Sequence, residues 1–182
     1  MPGQRPSATC TPAGRSGPLI VTAELAPDDF AWLEGLRRAH YPAELNRVPA
    51  HLTMFHGLPP SAEDEVRHIL ARHTLEAAPK ALLAGLMNLG NGVAYRVVSD
   101  DLEVIRDAVA DHFHGLLSAQ DSAGWRPHVT IQNKVPAKAA KALLDQLSAT
   151  YHPRPIGIGG LSVHRYLGGP WERLATYKFR GN

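Results

Sequence analysis

One cysteine, Cys10, in 182 residues excludes both an intrachain disulfide and a zinc cluster built on thiolates. A reducing cytoplasm is the expected compartment. Long apolar runs are missing too: none reaches the ~18 residues of a membrane span, and the opening residues lack the apolar stretch of a secretory signal. Charge of one sign is also scarce, since 19 Lys and Arg against 17 Asp and Glu leave a net +2 with histidine neutral. That balance lacks the basic footprint by which a protein holds duplex DNA through its phosphates, and it leaves room for a small anionic ligand.

What is present is ordinary for a folding chain: 44% hydrophobic and 20% charged residues, enough for a core and far from the disordered extreme. Residues 1–17, "MPGQRPSATCTPAGRSG", are rich in Ser, Pro and Gly and free of acid. They read as a disordered leader, with an Arg and Ser content that would also fit a transit peptide. Residues 18–180 are expected to form a single bilobal domain.

Strand and helix patterns alternate along that domain. "PLIVTAEL" predicts a strand, and "PDDFAWLEGLRRAHY" a helix with acid at its start and Phe30, Leu33 and Leu36 on one apolar face. "AHLTMFHGL" predicts a strand, and the segment from Pro59 to Ala77 a helix with Ser61 and Asp64 in capping-box spacing. "KALLAGLMNLG" closes the first half as a strand. The pattern then restarts with "GVAYRVVS", a helix capped near Ser99 or Asp100, "RPHVTIQNKV", a helix from Pro136, and strands at "IGIGGLSVHRYL" and "ERLATYKFR".

The restart is an internal repeat. At an offset of 77, His51, Thr53, Pro59 and Val66 fall on His128, Thr130, Pro136 and Leu143; at an offset of 72, Val21, Leu25 and Phe30 fall on Val93, Val97 and Leu102. The five extra residues of the second copy sit near "LSAQDSAG", which reads as a loop. The fold class is therefore α+β, a bilobal internal duplication of β-α-β-α-β units. The units, at about 18–90 and 91–180, have antiparallel-rich sheets about a pseudo-two-fold axis.

Strand alternation points His51, Thr53 and Phe55 one way and Leu52, Met54 and His56 the other; in the second copy His128, Thr130 and Gln132 oppose Val129 and Ile131. The Leu and Met face belongs to the core, so the His-Thr face lines the surface between lobes. His56 falls on the wrong face to join His51. Two His-x-Thr triplets alone are unremarkable, but matching positions in two copies mark His51, Thr53, His128 and Thr130 as a site rather than core filling.

These motifs, "AHLTMFHGL" and "PHVTIQNKV", resemble the paired His-x-Thr/Ser motifs of the 2H phosphoesterase superfamily, which includes the bacterial 2′-5′ RNA ligases and RNA cyclic phosphodiesterases. The resemblance covers residues 18 to about 180. It implies a hydrolase that needs no metal or cofactor and acts on a cyclic phosphate of a nucleotide or RNA end, with a ligase reaction using the same groups in reverse. His51 and His128 would serve as acid and base, the first toward the leaving oxygen and the second toward water, and Thr53 and Thr130 would hold the phosphate. A monomer is expected.

Lys134, Arg126 and Arg165 lie beside a motif or on a strand near one, and are candidates for phosphate or nucleotide contact. Tyr166, with Tyr41 and Trp171, could stack on a base. "DHFH" at 111–114 hints at metal ligands, but its histidines diverge by about 200° on a helix. Two rival readings stand: a binding module that holds nucleotides or RNA ends without turnover, and a histidine-ligated metallohydrolase.

Overall fold

The computed structural model describes residues 16–180; most of the leader, with Cys10, lies outside the described residues. Among the described residues, seven strands and five α-helices follow in the order β1 (Leu19–Leu25), α1 (Pro27–His40), β2 (Leu52–Leu58), α2 (Glu63–His73), β3 (Lys80–Asn88), β4 (Val93–Val98), α3 (Asp100–His112), α4 (Ala119–Ser122), β5 (His128–Gln132), α5 (Ala137–Ser148), β6 (Arg154–Arg165) and β7 (Glu172–Lys178). Every strand pairing is antiparallel. The sheet runs β1-β2-β5-β4-β3-β6-β7, and β6 also pairs with β1, so six strands close into a barrel-like ring. The α+β architecture matches the expectation.

The register carries the repeat. Thr22 and Ala23 pair with Thr53 and Leu52, and their counterparts Ala94 and Tyr95 pair with Thr130 and Val129. Strands β2 and β5 meet at a single pair, Leu52 and Val129, which are themselves repeat equivalents. The pseudo-two-fold axis passes there, and it sets the two His-Thr motifs on either side.

Each half of the sheet takes its closing strand from the other copy: β6 pairs with β1, and β3 with β4. Carboxylate contacts stitch the exchange. Asp29 of α1 accepts from Gly157 N of β6 at 2.8 Å, and its equivalent Asp101 of α3 accepts from Lys80 N of β3 at 2.8 Å. Leu52, Met54, Val129 and Ile131 are fully buried, as the alternation requires, and pack with Leu33, Leu102 and Leu161 into one core.

Of three local expectations, two change and one holds. Ser61 and Asp64 form no capping box, because a 3-10 turn at Pro60–Ala62 delivers the chain into α2 with no side-chain cap. Ser99 does cap α3, accepting from Leu102 N at 3.1 Å. The segment read as a loop contains α4, whose cap Ser118 accepts from Asp121 N.

Candidate active site

Two β-bulges reset the faces of the motif strands. Between the pairs Thr22–Thr53 and Val21–Phe55, β2 advances two residues while β1 advances one; β5 does the same between Thr130 and Gln132. The bulge turns Phe55 and Gln132 into the core, where alternation had placed them on the site face. It also turns His56 into the cavity that holds His51 and Thr53, which corrects the expectation that His56 points away.

That cavity, of about 500 Å³, is lined by His51, Thr53, His56, His128 and Thr130, with Arg106, Trp125 and Trp171 among its walls. The two motif histidines are held alike. His51 Nδ1 lies 2.7 Å from the Pro49 carbonyl, and His128 Nδ1 lies 2.7 Å from the carbonyl of Arg126, the repeat equivalent of Pro49. A carbonyl only accepts, so each Nδ1 carries a proton, and Nε2 is the ring atom left to serve the cavity. Burial pushes the His51 pKa down to about 4; the hydrogen bond to Pro49 opposes this, while Arg37, His128 and His164 add to it.

The motif strands are braced from the opposite copy. Arg37 of α1, buried, donates from Nη1 to Thr130 O of β5 at 2.7 Å and from Nε to Asn46 Oδ1 and Val48 O. Arg106 of α3, also buried, donates to Met54 O of β2 at 3.2 Å and to Asp121 O at 2.6 Å, with its guanidinium 5.0 Å from the Phe55 ring centroid. Trp125 Nε1 donates to Thr53 O at 2.9 Å. Both threonine carbonyls are thus fixed by side chains.

Asp121 clamps α4 onto β2. Its buried carboxylate accepts from His56 N, His56 Nδ1, Gly57 N and Ser118 Oγ at 2.8–3.1 Å. Burial pushes its pKa up, but these hydrogen bonds outweigh burial and hold it below the ordinary carboxylate value. Trp171 stands with its ring centroid 4.7 Å from that of His51 and 5.5 Å from that of His164.

Residues 25–170 match a family described as the 2′-5′ RNA ligase superfamily. The chain belongs to that superfamily, the 2H phosphoesterases. No curated protein matches it by sequence. Among solved structures it is similar to TT0787 of Thermus thermophilus, with 17% identity, a TM-score of 0.61, and 91% of this chain and 99% of that one covered. It is also similar to E. coli LigT in complexes with NADP+ and with 3′-AMP, at 15% and 14% identity and TM-scores of 0.57 and 0.56, covering 90% of this chain and 98% of LigT. At such identities the likeness is one of fold.

Of the further candidates read from the sequence, this superfamily member brings only some to the cavity. Arg126 lines it and is exposed at its edge, and Trp171 forms part of its wall. Arg165 does not line it: its guanidinium is consumed by Glu63 and Glu172. Lys134, held at a φ of 61° after the bulged strand, and Tyr166, whose backbone N–H bonds Pro18 O, lie outside the cavity lining. Tyr41 packs under Arg37 instead of facing the site. His112 of the "DHFH" stretch meets Glu65 at 2.6 Å, and among the described residues no three His, Cys, Asp or Glu side chains converge as a metal site would require.

The sequence reading missed Arg37, Arg106, Asp121 and His164. For the arginines a signal existed: Arg37 lies four residues after Leu33 and Arg106 four after Leu102, each a charge on a buried apolar stripe. Asp121 had only its spacing from the cap Ser118, and His164 had none, since its partners Thr22 and Trp171 come from other elements.

Proposed function

We propose that this phosphoesterase hydrolyses a cyclic phosphate on a nucleotide or RNA end, of the 2′,3′-cyclic type, without a metal. The observation that supports this most is the matched pinning of His51 and His128, which frees two Nε2 atoms toward one cavity that also holds Thr53 and Thr130. Water attacks phosphorus as His128 takes its proton; the bond from phosphorus to one ribose oxygen breaks, and that oxygen receives a proton from His51. The threonine hydroxyls donate to the non-bridging oxygens as their charge grows. The buried Arg106 adds positive potential at the cavity wall. Run backward with a sugar hydroxyl in place of water, the same groups join RNA ends.

The nucleotide class of the substrate is supported by LigT, which was crystallised with 3′-AMP, NADP+ and ATP. Turnover of a panel of 2′,3′-cyclic nucleotides, cyclic-phosphate RNA ends and ADP-ribose cyclic phosphate tests the reading. We expect His51→Ala and His128→Ala each to lower kcat by at least about 100-fold with unchanged circular dichroism, and EDTA to have no effect. Undiminished turnover in His128→Ala, or loss in EDTA, would sink the mechanism.

A further inference from the structure

A second cavity, of about 600 Å³, lies on the far side of His51 and shares His51 and Trp171 with the catalytic cavity as a common wall. Leu25, Pro27, Phe30 and Trp171 supply apolar surface, and Glu24, Arg47 and Arg173 supply charged groups, with Arg173 3.6 Å from the Glu24 carboxylate. Its construction departs from the repeat. Phe30 is 37% exposed and faces this space, whereas its repeat equivalent Leu102 is fully buried in the core. Thr22 and Glu24, which the repeat replaces with Ala94 and Arg96, join His164 in a network: Thr22 Oγ1 lies 3.0 Å from His164 Nε2 and 3.2 Å from Glu24 Oε1. The repeat symmetry is thus broken at the residues that line this cavity.

We infer that this chamber is the subsite for the substrate's nucleobase. The inference rests on the phosphodiesterase reading and deepens it. An in-line displacement puts water and the departing oxygen on opposite sides of phosphorus, each beside one histidine. The departing oxygen belongs to the sugar, so the nucleoside extends from the His51 side, where the chamber opens. Flat apolar walls from Phe30 and Trp171 suit an aromatic ring. The Arg47 and Arg173 guanidinium groups, the latter beside Glu24, can donate to a ring nitrogen or carbonyl at the ring's edge. Trp171 is the partition: one ring borders phosphate on one side and base on the other.

Two measurements on the full chain separate this subsite from the chemistry. In the first, adenosine, which has no phosphate, is titrated while tryptophan fluorescence is followed. We expect saturable quenching, with affinity at least tenfold weaker in Val48→Phe, which narrows the chamber, and in Phe30→Ala, which removes a wall. No quenching in the wild type, or wild-type affinity in both variants, would overturn the subsite. In the second, kcat/KM is compared for adenosine 2′,3′-cyclic phosphate and for ethylene phosphate, a five-membered cyclic phosphate that carries no base. Val48→Phe should lower the ratio of the two at least tenfold; an unchanged ratio would overturn the proposal. Chamber-dependent quenching in a protein that turns over neither compound would uphold the subsite and defeat the phosphodiesterase reading instead.

Discussion

His51 carries two burdens at once: it lines the cavity and sits deep enough that burial holds its imidazole neutral, with a pKa of about 4 against an ordinary 6.5. A histidine kept neutral in the fold but free to protonate when unfolded makes the unfolded chain bind more protons as pH falls. Stability is therefore full above pH 6.5 and declines as pH drops from there toward 4. Urea midpoints measured from about pH 7 to about pH 4.5 should fall in the wild type and fall less in His51→Gln. In the proposed mechanism the same residue must hold a proton for the departing oxygen, and a phosphate anion beside it would favour the charged form. Binding of adenosine 2′-monophosphate at about pH 6 should then draw in close to one proton, read by calorimetry in buffers of differing ionisation enthalpy. His51→Gln should abolish that uptake; its absence in the wild type would remove His51 from the proton-transfer role.

At the level of elements, the motif strands are shaped as much by their partners as by their own residues. The alternation in "HLTMFHG" is correct for His51 through Met54 and fails beyond it, because the bulge against β1 adds one residue to β2 and turns His56 into the cavity. A bulge depends on how two strands pair, and one strand's apolar pattern does not report it. The arginine braces act at this scale as well. Arg37→Met would leave the Thr130 and Val48 carbonyls and Asn46 without their donor, in a buried setting. We expect a loss of about 1–3 kcal/mol in urea unfolding, with turnover reduced more than substrate affinity because β5 carries His128.

For the whole molecule, β6 is the strand that closes the ring, since it pairs with β1, β3 and β7 along its length. Gly160 sits where it pairs with β7, and a Cβ there would lie 2.4 Å from the Tyr177 carbonyl oxygen. Gly160→Ala should therefore cost about 1–3 kcal/mol by thermal or urea unfolding, without touching the cavity; an unchanged midpoint would show that β7 yields freely. The order of strands and helices apart from α4, the duplication and the paired motif residues His51, Thr53, His128 and Thr130 follow from the sequence by itself. Periodicity is local, and a repeat can be seen by sliding the chain along itself. The exchange of closing strands, the bulges, the reassignment of His56, the capture of Arg165 by two glutamates and the chamber behind His51 were decided by tertiary structure. Each is a pairing between residues far apart in the chain, and no local pattern encodes which distant partner a strand or a charge will meet.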